Sequence, residues 1–372
     1  MTPSRGAVSS DGAPPANLPP VNVRGTRGGS AAIAMVCLLA LAVCRSVLGL
    51  EELIAGAEPG GAPDAGDAGG DGGTVLDAGD AGATARPARR EIVVEGEPAP
   101  TDLALLGDRL VWIRSGSLGN VVAAPLSGGP IEVGNPSPMV NPRELVVAGG
   151  FPYAVVESSR VQRFFPPSSC EQGEQVARLA TFGSDLLVVT TGGALWSGTC
   201  VDRSLELASS VVVASGDAPY AWFATTTGAI ERAQWNPANG QIDTLPFASG
   251  QADVAAITHS ATHVAWVRPT TTSGVAAAIW SRAKAAGGAT AATPATLVAE
   301  LGEIPKALVG AGDRVYWTEA KSGRVLSAPT GGGEAPAVIA EGLDRPWGLV
   351  VITDDDIFVT ESGGGRVIRI RR

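Results

Sequence analysis

The sequence predicts an all-β fold made by repeating one short antiparallel unit around a ring. Three observations carry this expectation. One phrase is written twice, as "GDRLVWIRSGSLGNVVAAPLSGG" over 107–129 and as "GDRVYWTEAKSGRVLSAPTGGG" over 312–333, and such self-similarity marks a repeat architecture. Short runs rich in Val, Ile, Leu and aromatic residues alternate with turns carrying Gly, Ser or Asp, which is strand and hairpin chemistry. The 49 glycines and 27 prolines of the 372 residues argue against helical repeats. Four-stranded units recurring about every 40 residues are those of a β-propeller, whose blades run to ~40–45 residues.

The amino-terminal part does not share this pattern. Residues 1–30 are rich in Pro, Gly and Ser and carry "RGTRGG" near their end; "AAIAMVCLLALAVC" follows over 31–44, and after Arg45 "SVLGL" extends to Leu50. Residues 1–50 are therefore expected to be an export signal or a membrane anchor. A signal peptide needs a basic flank and an apolar core of about 7–15 residues. A membrane anchor needs ~20 residues. "LAVC" at 41–44 resembles a bacterial lipobox, with Cys44 as the acylated residue, although Val43 stands where that pattern has Gly, Ala or Ser. All three readings place the rest of the chain outside the cytoplasm. Residues 51–90 hold Glu51, Glu52, Glu58 and five aspartates before the first base, among Ala and Gly. Such a segment cannot bury enough apolar surface to offset its backbone entropy, so it is expected to be a disordered acidic linker. Its aspartates lack the alternate-residue spacing of a calcium loop.

The repeats occupy 91–372. Seven copies of a central strand are read in order as "LVWIR", "YAVVE", "LLVVT", "YAWFA", "VAWVR", "VYWTE" and "IFVTE", beginning at Leu110, Tyr153, Leu186, Tyr220, Val264, Val315 and Ile357. A second strand follows each after a short turn, as in "NVVAAP" and "GRVLSA". A third comes next in most copies, as in "PIEV" and "ATLVAE", and a fourth precedes each central strand, as in "ELVVAGG" and "ALVGAGD". The second copy is weakest, because "PPSSCEQGEQ" leaves little room for its third strand. Seven blades are favoured, at about 40 residues each; six would average about 47. The last copy ends at Arg372 one strand short, while the region opens with "EIVVEG", which parallels "AVIAEG". Residues 91–95 are expected to supply the missing outer strand and close the ring.

"VYWTE" followed by "SGRVLSAP" resembles the YWTD repeat of low-density-lipoprotein-receptor-type propellers. "RPWGLVVITDDDIFVTESGGGRVIRI" also resembles NHL-type and virginiamycin-lyase-like repeats. The likeness is clear in copies one, six and seven. It implies the propeller fold. The YWTD likeness implies six blades and a structural, turn-bonding acid at the end of the central strand. The lyase likeness implies a catalytic histidine and acid.

The candidate binding residues stand in the column just before the turn: Arg114, Glu157, Arg268, Glu319 and Glu361, with Thr190 and Ala224 at the other two copies. Around a closed ring, Glu319, Glu361, Arg114 and Glu157 form an acid–acid–base–acid arc, a candidate site for a polar or cationic group; the alternative is that each acid bonds its own turn. Cys170 and Cys200 are the only thiols of the repeat region. They fall in equivalent loops of neighbouring blades and are expected to pair as a disulfide in an exported protein. His259 and His263, the chain's two histidines, flank "THSATHV" and read as solvated turn residues. Trp112, Trp222, Trp266 and Trp317 share one column and read as inter-blade core.

The net charge of −10 is concentrated in the linker, and no basic stripe tracks a phosphate backbone, which argues against nucleic-acid binding. No cofactor and no metal are implied by any motif, and membrane contact is expected only through the amino-terminal segment. The expected function is an exported, tethered binding or scaffolding module for a protein or small polar ligand. The competing reading is a lyase or lactonase-like hydrolase with carboxylates around the central channel.

Overall fold

A computed structural model describes residues 88–372, apart from 117, 136, 158–159, 171–174, 199–202, 237–240 and 287–294. The export segment with Cys44, the linker up to residue 87, and Cys200 lie outside the described residues. The strands pair into seven four-stranded antiparallel sheets. In chain order the strands are β1 (Arg89–Glu95); β2 to β5 of blade one (Pro100–Leu106, Arg109–Arg114, Asn120–Pro125, Glu132–Val133); β6 to β9 of blade two (Arg143–Ala148, Phe151–Val156, Arg160–Arg163, Ser168–Cys170); and β10 to β13 of blade three (Val176–Phe182, Asp185–Thr190, Leu195–Gly198, Arg203–Ala208). Blade four has β14 to β17 (Val211–Asp217, Tyr220–Thr225, Ile230–Asn236, Gln241–Ala248) and blade five β18 to β21 (Ala256–His259, His263–Pro269, Ala277–Ala283, Thr296–Leu301). Blade six has β22 to β25 (Leu308–Ala311, Arg314–Glu319, Arg324–Pro329, Ala337–Ala340), and β26 to β28 follow (Pro346–Thr353, Asp356–Glu361, Arg366–Arg371).

The last sheet runs β1-β28-β27-β26. The amino-terminal strand is therefore the outer strand of blade seven, with Arg90 opposite Ile370 and Ile92 opposite Ile368. Blade two keeps four strands because β9 needs only three residues, paired to Val161–Arg163. Cys170 accordingly lies at the end of this outer strand and is buried there, rather than in a loop.

The innermost strands β2, β6, β10, β14, β18, β22 and β26 contact one another in a closed ring. Their approach is close enough to exclude side chains: a Cβ on Gly216 would overlap the Thr181 carbonyl, and one on Gly310 the His259 carbonyl. Two-residue turns such as Gly107–Asp108 and Gly312–Asp313 join inner to central strands, with the glycines at φ +60° and +56°, the region that twist-matched hairpins require. Each of the seven hydrophobic clusters lies between two neighbouring blades. Val94, Leu103, Trp112, Val350 and Phe358 fill the seam between blades seven and one. Trp112, Trp222, Trp266 and Trp317 are all fully buried in such seams.

The threonine of "YWTE" and "FVTE" has a matching role. Fully buried Thr318 accepts from Ala307 N and donates to the Trp347 carbonyl of blade seven, both at 3.0 Å. Thr360 accepts from Gly348 N at 2.7 Å and donates to Thr101 O of blade one at 3.0 Å. One hydroxyl thus links successive blades at the axis and satisfies backbone groups that the narrow ring buries.

Candidate functional site

The charged residues of the pre-turn column bond within the turn or entry loop of their own blade. Glu319 and Glu361 are 4% and 1% exposed. Glu319 pairs with Arg324 at 2.6 Å and accepts from Ser322 Oγ. Glu361 pairs with Arg366 at 2.6 Å and accepts from Asp344 N. Glu157, at φ +54°, pairs with Arg160 at 2.9 Å. In blade one the polarity is reversed. Buried Glu97, from the loop entering the blade, accepts Trp112 Nε1 at 2.8 Å and both Arg114 Nε and Nη2 at 2.7 and 2.8 Å. These hydrogen bonds raise the Arg114 pKa against the effect of its partial burial. Gln251 does the same in blade five, accepting from Trp266 Nε1 and Arg268 Nη1. The four members of the rim arc are each engaged within the turn or entry loop of their own blade. Arg268 also borders a separate cavity of about 490 Å³ with Trp280 and Glu300.

A cavity lies on the ring axis, at the end where the inner strands begin. Its volume is about 620 Å³ and all seven blades line it, within the ~300–1,000 Å³ range of ligand sites. A narrower space of about 290 Å³ continues between the inner strands and shares Asp102, Glu144, Leu179 and Lys306. The lining divides into two walls. Blades one to three present Thr101, Asp102, Ser115, Arg143, Glu144 and Arg178 together with Pro142 and Leu179; blades four to six present only apolar residues before Lys306, namely Val213, Ala214, Ala255, Ala256, Ile257, Ile304 and Pro305. Lys306 and Trp347 stand where the walls meet around the ring, with the ammonium 4.6 Å from the indole centroid.

The acids of the polar wall are held by neighbours. Asp102 accepts from Leu145 N at 3.3 Å, which ties blade one to blade two, and the Glu144 N–H, its own N–H and the Trp347 side chain favour its ionised form through hydrogen bonding. Burial raises its pKa, and those hydrogen bonds oppose the rise. Glu144 sits at φ +58° and pairs with Arg178 at 2.7 Å. Burial raises its pKa as well, opposed by Arg178 and reinforced by Asp102. Arg143 donates to the Val176 and Ala177 carbonyls of blade three. The central channel of a lactonase-like propeller would hold a metal ion; these residues do not fit one. Both carboxylates are already engaged by donors, three cations share the lining, and no set of three or more metal-ligating side chains occurs among the described residues.

Both histidines lie at the other end of the channel. His259 lines a cavity of about 400 Å³ with Asp217, Tyr220 and Lys284. Its Nδ1 is 2.9 Å from Ser215 Oγ, its Nε2 is 3.8 Å from Asp217, and Lys284 pairs with Asp217. The ring is thus half-buried between blades four and five rather than solvated, and burial lowers its pKa, with Asp217 opposing and Lys284 adding to the fall. Ser215 is not part of the cavity lining. His263 bonds Thr262 and Thr330. Cys170 is disulfide-bonded; the expected partner, Cys200, lies outside the described residues.

None of Arg114, Glu157, Arg268, Glu319 and Glu361 lines the axial cavity. Its charged residues went unmarked in the sequence because they stand at the starts of different inner strands and in the loops before them. The available signal was a charge where other copies are apolar: "TDLALL", "RELVVA" and "ARLATF" against "VVVAS" and "GLVVI".

No family model matches the chain, and no curated protein does. Solved structures do. Virginiamycin B lyase from Staphylococcus aureus superimposes with a TM-score of 0.55 at 12% identity, over 77% of this chain and 99% of that one. A catalytically inactive histidine-to-alanine form of that enzyme, with quinupristin, matches equally well. The β-propeller domain of Myceliophteria thermophila Cps50 (Swd1) matches with a TM-score of 0.56 at 10% identity, over 76% and 100%. YCF48 bound to D1 peptide matches with 0.51 at 9% identity, over 78% and 96%. The similarity is one of fold: this chain is a seven-bladed β-propeller like these proteins of differing function.

Proposed function

We propose that the protein is an exported, tethered binding module whose ligand enters the axial cavity. The observation that carries this is the cavity itself: an open space of about 620 Å³ to which every blade contributes, with a polar and an apolar wall. Sites of this shape and mixed lining are where small ligands and chain ends bind. Among proteins of this fold, YCF48 holds a peptide, which supports a binder but does not name its ligand. Export and tethering rest on the apolar run at 31–50 behind a basic flank and on the acidic linker after it. The test is to fill the cavity. Ala256 lines the apolar wall, so Ala256→Trp should abolish saturable quenching of tryptophan fluorescence by anilinonaphthalene sulfonate, an amphipathic probe, while the fold is retained. Unchanged saturable binding in a folded Ala256→Trp protein would refute the axial site.

The lyase reading gains less support. Loss of a histidine accompanies loss of catalysis in the quinupristin-bound form of the S. aureus enzyme. Here both histidines lie at the opposite end of the channel from Asp102 and Glu144, and neither lines the axial cavity. Incubation with quinupristin is expected to leave its mass unchanged; a product ion would revive the enzyme.

A further inference from the structure

The axial cavity carries information about what it receives, given that it is a binding site at all. Its two walls ask for different things. Along one side stand two polar pairs, Thr101 with Ser115 and Glu144 with Arg178, each at 2.7 Å, whose remaining lone pairs and N–H groups make a polar wall; Val213, Ala255, Ala256 and Ile257 offer an apolar face along the other. Ile304 extends that face to the lip, where it is 46% exposed. A ligand that alternates amides with apolar side chains satisfies both walls; a sugar or a hydrocarbon satisfies one. The volume suits the end of a chain rather than a folded partner.

The charges select which end. Asp102 is engaged by Leu145 N, and Glu144 by Arg178. Lys306 is different. Its ammonium lies over the Trp347 ring, it is exposed at the mouth, and among the described residues no ion pair engages it. A cation held on an aromatic face keeps its donors for a ligand. We propose that the axial cavity binds the free carboxyl terminus of an apolar peptide, with the terminal carboxylate on Lys306 and the last side chains against Val213 and Ile257. Three cations against two acids in the lining favour an anion over an amine, and an amino terminus would meet Lys306 with like charge.

The experiment uses an acetylated hexapeptide ending in Ala-Val-Leu, as the free acid and as the carboxamide, with decanoate as a third probe. Binding is read by calorimetry to the whole protein. The acid should bind at least about tenfold more tightly than the amide, the size of one charge-assisted hydrogen bond at an open site. Lys306→Met should remove that difference by weakening the acid alone, Lys306→Arg should restore most of it, and Ala256→Trp should abolish binding of both. Equal affinity for acid and amide, or no effect of Lys306→Met, overturns the carboxylate assignment. Decanoate binding that Ala256→Trp abolishes, without peptide binding, overturns the peptide and leaves the axial site standing. Binding of any probe that survives Ala256→Trp overturns both.

Discussion

Removing the Glu97 carboxylate should unfold the protein more readily than its position in a loop suggests. Glu97 is 4% exposed and accepts three hydrogen bonds, one from a fully buried indole and two from Arg114. In Glu97→Ala the Trp112 N–H loses its acceptor in a seam that water does not reach, a cost of about 1–3 kcal/mol. Arg114 loses its partner too. A fully buried pair broken this way costs ~3–5 kcal/mol, but the Arg114 side chain is 25% exposed and can recover part of its hydration, so about 1–2 kcal/mol is the appropriate share. The sum is about 2–5 kcal/mol, read from urea unfolding at pH 7. Glu97→Gln keeps an acceptor for the indole and should cost about half as much. Arg114→Ala in the Glu97→Ala background should cost less than in the wild type, by about 1–2 kcal/mol of coupling. A Glu97→Ala loss below about 0.5 kcal/mol, the level of an ordinary surface substitution, would refute the reasoning and return Arg114 to the list of ligand-binding residues.

Four shorter predictions follow from the structure and from the sequence. A chain beginning at residue 98 lacks β1 and Glu97 and exposes the edge of β28, so it should melt well below one beginning at 88; equal melting temperatures would show that the amino-terminal strand does not close the ring. Non-reducing peptide mapping should link Cys170 to Cys200, and reduction should cost about 3–4 kcal/mol for a loop of roughly 30 residues; a Cys170 link to any other cysteine contradicts the pairing. His259 has a lowered pKa in the fold, so the unfolded chain takes up its proton first; stability is full above the ordinary imidazole pKa of about 6.5 and is lost as pH falls through and below it. His259→Gln should reduce that loss between pH 7.5 and 5.5, and an unchanged slope would exclude His259 as its source. Fractionation should find the chain outside the cytoplasm, and Cys44→Ala should release it from membranes if acylation is the tether; a membrane-bound Cys44→Ala chain would point to the 31–50 anchor, and a cytoplasmic chain to neither.

The repeat made the architecture legible, because each strand carries its own local pattern and seven copies reinforce one another. The closing strand was legible for the same reason: "EIVVEG" repeats "AVIAEG". The pairings between a blade and its entry loop were harder. Glu97 precedes Trp112 and Arg114 by 15 and 17 residues, and Gln251 precedes Trp266 and Arg268 by the same distances. That shared spacing is present in the sequence and gives both arginines, the candidate binding residues of the rim, an acceptor in the entry loop of their blade. The axial lining was not legible from spacing at all. Asp102, Arg143, Arg178, Lys306 and Trp347 come from five blades, and only closure of the ring brings them around one space. His259 was misplaced because a histidine after a short strand reads as a turn, whereas the neighbouring blade supplies Ser215 and covers it.

The most direct test of the account compares a filled cavity with a weakened rim. Binding of the acetylated hexapeptide acid is measured for the wild type, Ala256→Trp, Arg268→Ala and Glu361→Gln, each first shown to be folded. The account predicts loss of binding in Ala256→Trp and wild-type affinity in the two rim variants. Retained binding in Ala256→Trp with loss in Arg268→Ala and Glu361→Gln would place the site on the rim and contradict it.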